Sequence, residues 1–311
     1  MMIESEFIGG IMVENIPRES GIIYEFNEMN QPIATVKSGS TVRIETYDCF
    51  KNQIVSEGME LVDLDWNQIN PATGPIYVEG ACPGDVLKVS IQTIEIESQG
   101  VMLVGPDLGV MGKFIKQMTA KILPIENDKI VFNDLQLPLN KMIGVIGVAP
   151  SGKGINCGTP GAHGGNMDNK MVTQGATMYF PVAVEGALFG LGDFHAAMGD
   201  GEVSVSGVEV AGAATVTLEV IKGVTVDQPM LENDHSFTQI ASALTLDEAS
   251  KIATQLMIHR LVEQTHMTVS EMTMLMSAVG QLEICQVVDP LVTVRFVVPK
   301  WLLSQLAVTL I

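Results

Sequence analysis

Ser40-Thr41-Val42-Arg43-Ile44-Glu45-Thr46 and Asp85-Val86-Leu87-Lys88-Val89-Ser90-Ile91 decide the fold class. In each, a glycine-led turn precedes apolar side chains at every second position, the spacing of a strand buried on one face. Residues 33–36, 86–96, 203–210 and 215–220 repeat the pattern between Gly, Pro, Asn or Asp. Strand after strand without alternating helices predicts a mainly β chain, a β-sandwich of jelly-roll type rather than βαβ units.

The pattern changes near Thr245. Thr245-Leu246-Asp247-Glu248 has the form of a capping box, and Ala249, Ile252, Ala253, Leu256, Met257 and Leu261 then recur at helical spacing. Thr268-Val269-Ser270-Glu271 repeats the signature and Gly280 supplies a stop, so a second helix of about three turns follows. Residues 282–288 and 291–298 read as strands turning at Asp289-Pro290. No linker intervenes, so residues 1–311 form one domain with a helical subdomain at about 245–280, an α+β addition near the C-terminus.

The formal net charge of −19, from 36 acids against 17 bases, argues against nucleic acid as a partner, because phosphate binding draws on Lys and Arg. No apolar run reaches the roughly 20 residues of a membrane span. The opening Met-Met-Ile-Glu-Ser-Glu-Phe lacks the basic region of a secretion signal, so a cytoplasmic location is expected. Cys49, Cys82, Cys157 and Cys285 are too widely spaced for a C-x-x-C zinc or redox motif and read as reduced buried thiols.

Between Gly144 and Glu209, Thr159-Pro160-Gly161-Ala162-His163-Gly164-Gly165-Asn166-Met167-Asp168 is followed by Gly192-Asp193-Phe194-His195-Ala196-Ala197-Met198-Gly199-Asp200-Gly201-Glu202. Acids and histidines among glycines are costly to bury without a purpose. On a strand Asp193 and His195 share a face, as do Asp200 and Glu202. An imidazole beside carboxylates suits zinc, whereas oxygen ligands alone suit calcium. Spacing by itself leaves a metal site and a glycine-rich structural turn open as alternatives. Ser151 or Cys157 could meet His163 or His195 as a nucleophile, but no G-x-S-x-G elbow is present.

The residues resemble the acetamidase/formamidase family over nearly the whole chain. The resemblance is carried by Glu45-Thr46-x-Asp48-x-Phe50-x-x-Gln53-Ile54, Asn70-Pro71-Ala72-Thr73-Gly74-Pro75, Gly84-Asp85-Val86-Leu87, residues 144–150, 159–168 and 192–202, and Val287-Val288-Asp289-Pro290. It implies a β-sandwich with an added α+β element, and hydrolysis of short amides or their cyclic relatives. It also implies a metal, zinc with calcium as a second candidate. Residues 16–30 depart from the pattern, having no histidine or tryptophan where some relatives carry them.

The expected enzyme is therefore an amidase that attacks a small amide carbonyl with water activated by a metal ion. His163, Asp168, Asp193 and His195 are the expected metal neighbourhood. Asp48 or Glu202 is the expected general base, and Asn166 with the amides of Gly164 and Gly165 the expected oxyanion donors. The rivals are a cyclic imide or lactam hydrolase on the same site, a metal-free amidase using Cys157, and a non-catalytic small-molecule binding protein. Met272, Met274 and Met276 cannot all face one seam of a helix, so apolar surface is left to cover and a homodimer is expected.

Overall fold

The computed structural model describes residues 4–8, 11–57, 59 and 61–311. The chain is mainly β, and among the described residues three α-helices lie near the C-terminus: α1 (Leu246–Glu263), α2 (Val269–Val279) and α3 (Lys300–Leu306). Two large sheets of ten and eleven strands dominate, with Glu25–Phe26 and Ile155–Asn156 forming a small third. No helix among the described residues is long and apolar enough to cross a membrane.

The ten-stranded sheet runs through Ser40–Thr46, Gly212–Ile221 and Val86–Ile96 at its centre and ends on Ser236–Ala243, Val292–Pro299 and Gln281–Gln286. The eleven-stranded sheet carries Phe189–His195 between Glu209–Val210 and Met142–Gly147, with Gly164–Asn166 beyond. The period-two pattern is realised in Ser40–Thr46: Val42 and Ile44 are buried, while Arg43 and Glu45 pair on the opposite face at 2.7 Å. One apolar cluster draws Ile44, Val89 and Val216 from the first sheet and Ile143, Leu191 and Phe194 from the second, so the two sheets share a core. Each such side chain removed from water contributes about 1.5–3 kcal/mol.

Both helix starts follow the sequence. Thr245 accepts from the Glu248 N–H, and Thr268 and Glu271 form a reciprocal capping box. Ala253, Met257 and Leu261 of α1 and Met272 and Met276 of α2 pack with Phe237, Val294 and Phe296 of the first sheet, while Met274 stays exposed.

Residues 203–210 do not form the expected strand. Only Glu209–Val210 is extended, because Glu202 and Val205 sit at φ 44° and 74° and the segment turns instead of running straight. Asp200 and Glu202 therefore do not share a strand face. Asp200 turns to Arg295 and Lys170, whereas Glu202 is buried beside His195.

Candidate active site

His195 ends its strand at 1% exposure with three carboxylates around its Nε2: Glu209 at 3.2 Å, Asp193 at 3.6 Å and Asp168 at 3.7 Å. The strand register builds this cluster. His195 lies opposite Glu209 on one side and Met142 on the other, and Asn166 lies opposite Val145 on the next strand. Backbone conformation fixes the rest: Asp168, Asp193 and Glu202 adopt φ 42°, 57° and 44°, in the left-handed region that side chains other than glycine seldom occupy.

Two glycines make the cluster sterically feasible. A Cβ on Gly144 would lie 2.5 Å from Asp168 Oδ1 and 2.6 Å from Asp193 Oδ2, and one on Gly207 would lie 2.5 Å from His195 Nδ1. Glycine is needed here for close approach, not for turning.

Among the described residues, ligand atoms converge within 4.8 Å in three overlapping groups: Asp168, Asp193 and His195; His195, Glu202 and Glu209; and Cys49, Asp193 and Glu209. Both carboxyl oxygens of Asp168, Oδ1 of Asp193, Oε2 of Glu209 and Oδ1 of Asn166 are buried without a hydrogen-bond partner within the chain. Orphaned acceptors at this density call for a positive partner. The donor set of one imidazole and several carboxylates fits a divalent cation.

The electrostatics agree. Burial and neighbouring acids push the Asp168 carboxyl up to about 7 and Glu209 up to about 8, despite the opposing pull of His195. Burial and Asp168 also raise Glu202 and Asp289 well above the carboxylate range. Burial disfavours a charged His195, but Glu209 and Asp193 outweigh it and hold the imidazolium well above its ordinary value. A cation binding here would take the place of protons.

The expected residues separate. Asp168, Asp193 and His195 come together, and Glu202 joins them. His163 is in none of the three groups: its ring packs edge-on against Phe26 at 5.3 Å, and burial lowers its pKa to about 4. Asp48 Oδ1 accepts from the Phe50 and Asn52 N–H groups at 3.0 and 2.6 Å, closing its own turn, and burial raises its carboxyl to about 6. Asn166 donates Nδ2 to Asp289 at 3.0 Å, whereas the Gly164 N–H is already given to the Gly161 carbonyl. Cys157 is buried among Ile23, Phe26, Ala72 and Val145 with its thiol toward the Ile23 carbonyl, and burial pushes that thiol strongly up. Ser151 lies exposed on a loop.

A cavity of about 550 Å³ opens onto the cluster, lined by Asp193, Glu202, Glu209, Asn166 and Asp289 among others. Glu209, Asp289 and Cys49 were not singled out from the sequence. Glu209 stood at the edge of the glycine-rich window and Asp289 inside a family block, but neither sits near a histidine in sequence.

The acetamidase/formamidase family profile matches residues 27–156 and 151–280. The chain belongs to the acetamidase/formamidase family. Its fold is similar to a crystal structure described as a recombinant "predicted acetamidase/formamidase" from Thermoanaerobacter tengcongensis, at 48% identity and TM-score 0.93, covering 95% of this chain and 98% of that one. It is similar as well to acetamidase from Bacillus halodurans, at 46% identity and TM-score 0.93, over 94% and 100% of the two chains. Acetamidase from Mycolicibacterium smegmatis is 28% identical over 258 residues, 61% of this chain and 63% of that relative. This family member thus spans somewhat under two thirds of the length of the curated relatives it matches.

Proposed function

We propose that the chain hydrolyses the C–N bond of a small carboxamide to a carboxylate and ammonia. The observation that carries this reading is the ring of buried, unsatisfied carboxylates around His195 at the base of an open cavity. Family membership supports it, as do the names acetamidase and formamidase borne by the relatives.

Asp168, Asp193 and His195, with Glu209 beside them, would hold a divalent cation, read as zinc for its imidazole ligand with calcium second. When bound, such an ion polarises a carbonyl and makes water more acidic. Asn166 keeps one of its two Nδ2 hydrogens on Asp289 and turns the other to the substrate carbonyl oxygen. Glu202 takes a proton from the water that adds to the carbonyl carbon and returns it to the nitrogen as the C–N bond breaks.

The reading extends to a homodimer that covers the exposed Met274, Leu282 and Trp301. Ammonia release from acetamide and formamide tests the activity. Wild-type protein should turn over at least one of them and Glu202→Gln should lose about 10²–10⁴-fold, the span of a general base. No ammonia from these or from a larger primary amide sinks the proposal.

A further inference from the structure

The cavity is much larger than the smallest amides need. Acetamide has four non-hydrogen atoms, roughly the bulk of two or three waters at about 30 Å³ each, against about 550 Å³ of cavity. The lining is not acidic throughout: buried Phe50 and Leu103, half-buried Leu108 and Trp66 at 50% exposure give it an apolar part beside the amides Asn67, Asn70 and Asn156. Four carboxylates line the cavity and, among the described residues, no lysine or arginine does.

Resting on the amide-hydrolase reading above, we propose that this apolar stretch is a subsite for an uncharged aromatic or branched aliphatic group carried by the substrate amide. Three features select that chemistry. The volume matches a ligand well beyond acetamide, since pockets of 300–1,000 Å³ enclose molecules of drug size. Trp66 offers a flat, half-exposed ring on which an aromatic group can stack. An apolar wall also disfavours a substrate that carries a carboxylate or phosphate there, because a buried charge without a partner is costly.

The test is kcat/KM for ammonia release from acetamide, phenylacetamide and its 4-carboxylate derivative, in wild-type protein and in Trp66→Ala and Leu108→Ala. Phenylacetamide should exceed acetamide by about tenfold or more, the discrimination that even a small gain of apolar contact supplies. The 4-carboxylate should lose that advantage. The phenylacetamide-to-acetamide ratio should fall severalfold in both variants, and as a ratio it does not depend on the fraction of folded enzyme. Turnover of acetamide with equal or slower turnover of phenylacetamide, or an unchanged ratio in both variants, overturns the subsite while leaving the hydrolase reading standing. Absence of ammonia from every amide overturns the hydrolase reading and the subsite with it.

Discussion

Arg295 grips Asp200 with a bidentate pair of hydrogen bonds, Nη1 to Oδ1 at 2.9 Å and Nη2 to Oδ2 at 2.8 Å. The guanidinium is 1% exposed and also donates to Glu283 at 2.7 Å and to Asn169 Oδ1 at 3.1 Å. Asn169 follows Asp168 and Asp200 precedes Glu202 by two, so one side chain of the C-terminal strand pair ties down both loops that deliver site acids. The Gly201 N–H, bonded to the Cys285 carbonyl at 2.7 Å, reinforces the tie.

Arg295→Met should therefore destabilise the fold by about 3 kcal/mol, near the low end for a broken buried pair because Asp200 keeps some contact with water. Arg295→Lys, which keeps charge but loses the planar fork, should fall between. Urea unfolding measures both, and a loss under about 1 kcal/mol in the Met variant would show that the network adds little.

Stability of the metal-free protein should fall as pH rises from about 4 to 8. Asp48, Asp168 and Glu209 have folded pKa values raised to about 6, 7 and 8, so the folded state retains protons that the unfolded chain releases first. Their contribution is fully present below the unfolded carboxylate range and is lost on passing the folded values. Asp200 runs the other way: burial opposes its ionisation, but Arg295 and Lys170 outweigh it and depress the pKa, so its contribution is lost only in acid. Tm followed across this range with chelator and with zinc should show a decline that the ion suppresses. A flat chelated profile contradicts the crowding of unsatisfied acids.

Gly144→Ala should cut divalent-cation affinity by about tenfold or more, the scale on which displaced ligand supports are felt. Its Cβ would press on Asp168 Oδ1 and Asp193 Oδ2 at once. Calorimetric titration with zinc checks this, and unchanged affinity would remove those two carboxylates from the site.

The fold was legible wherever local pattern decides it. Residues 86–96 form the expected strand, and Thr245 and Thr268 cap the two expected helices. Pattern failed where the backbone serves the site. Residues 203–210 look like a strand by composition, but left-handed Glu202 and Val205 bend the chain around His195. Asp168, Asp193, His195 and Glu202 were visible as polar residues among glycines, whereas Glu209 and Asp289 arrive through sheet pairing and a distant turn. Arg295 carried a signal of its own, a charge in the middle of Val292–Pro299, since a buried cation in an apolar strand requires acidic partners.

Light scattering over a dilution series should give a dimer mass, because Met274 at 71% and Trp301 at 55% exposure leave apolar surface uncovered. A monomer mass at micromolar concentration and physiological salt would contradict self-association through this region.

The most direct measurement is an anomalous-difference map at the zinc edge from crystals grown with zinc, paired with ammonia-release assays on the same preparation before and after chelation. The account predicts a single strong peak among Asp168, Asp193 and His195, with activity that disappears on chelation and returns with zinc. Full amide turnover by chelated protein, or a peak at His163 with none beside His195, would contradict it.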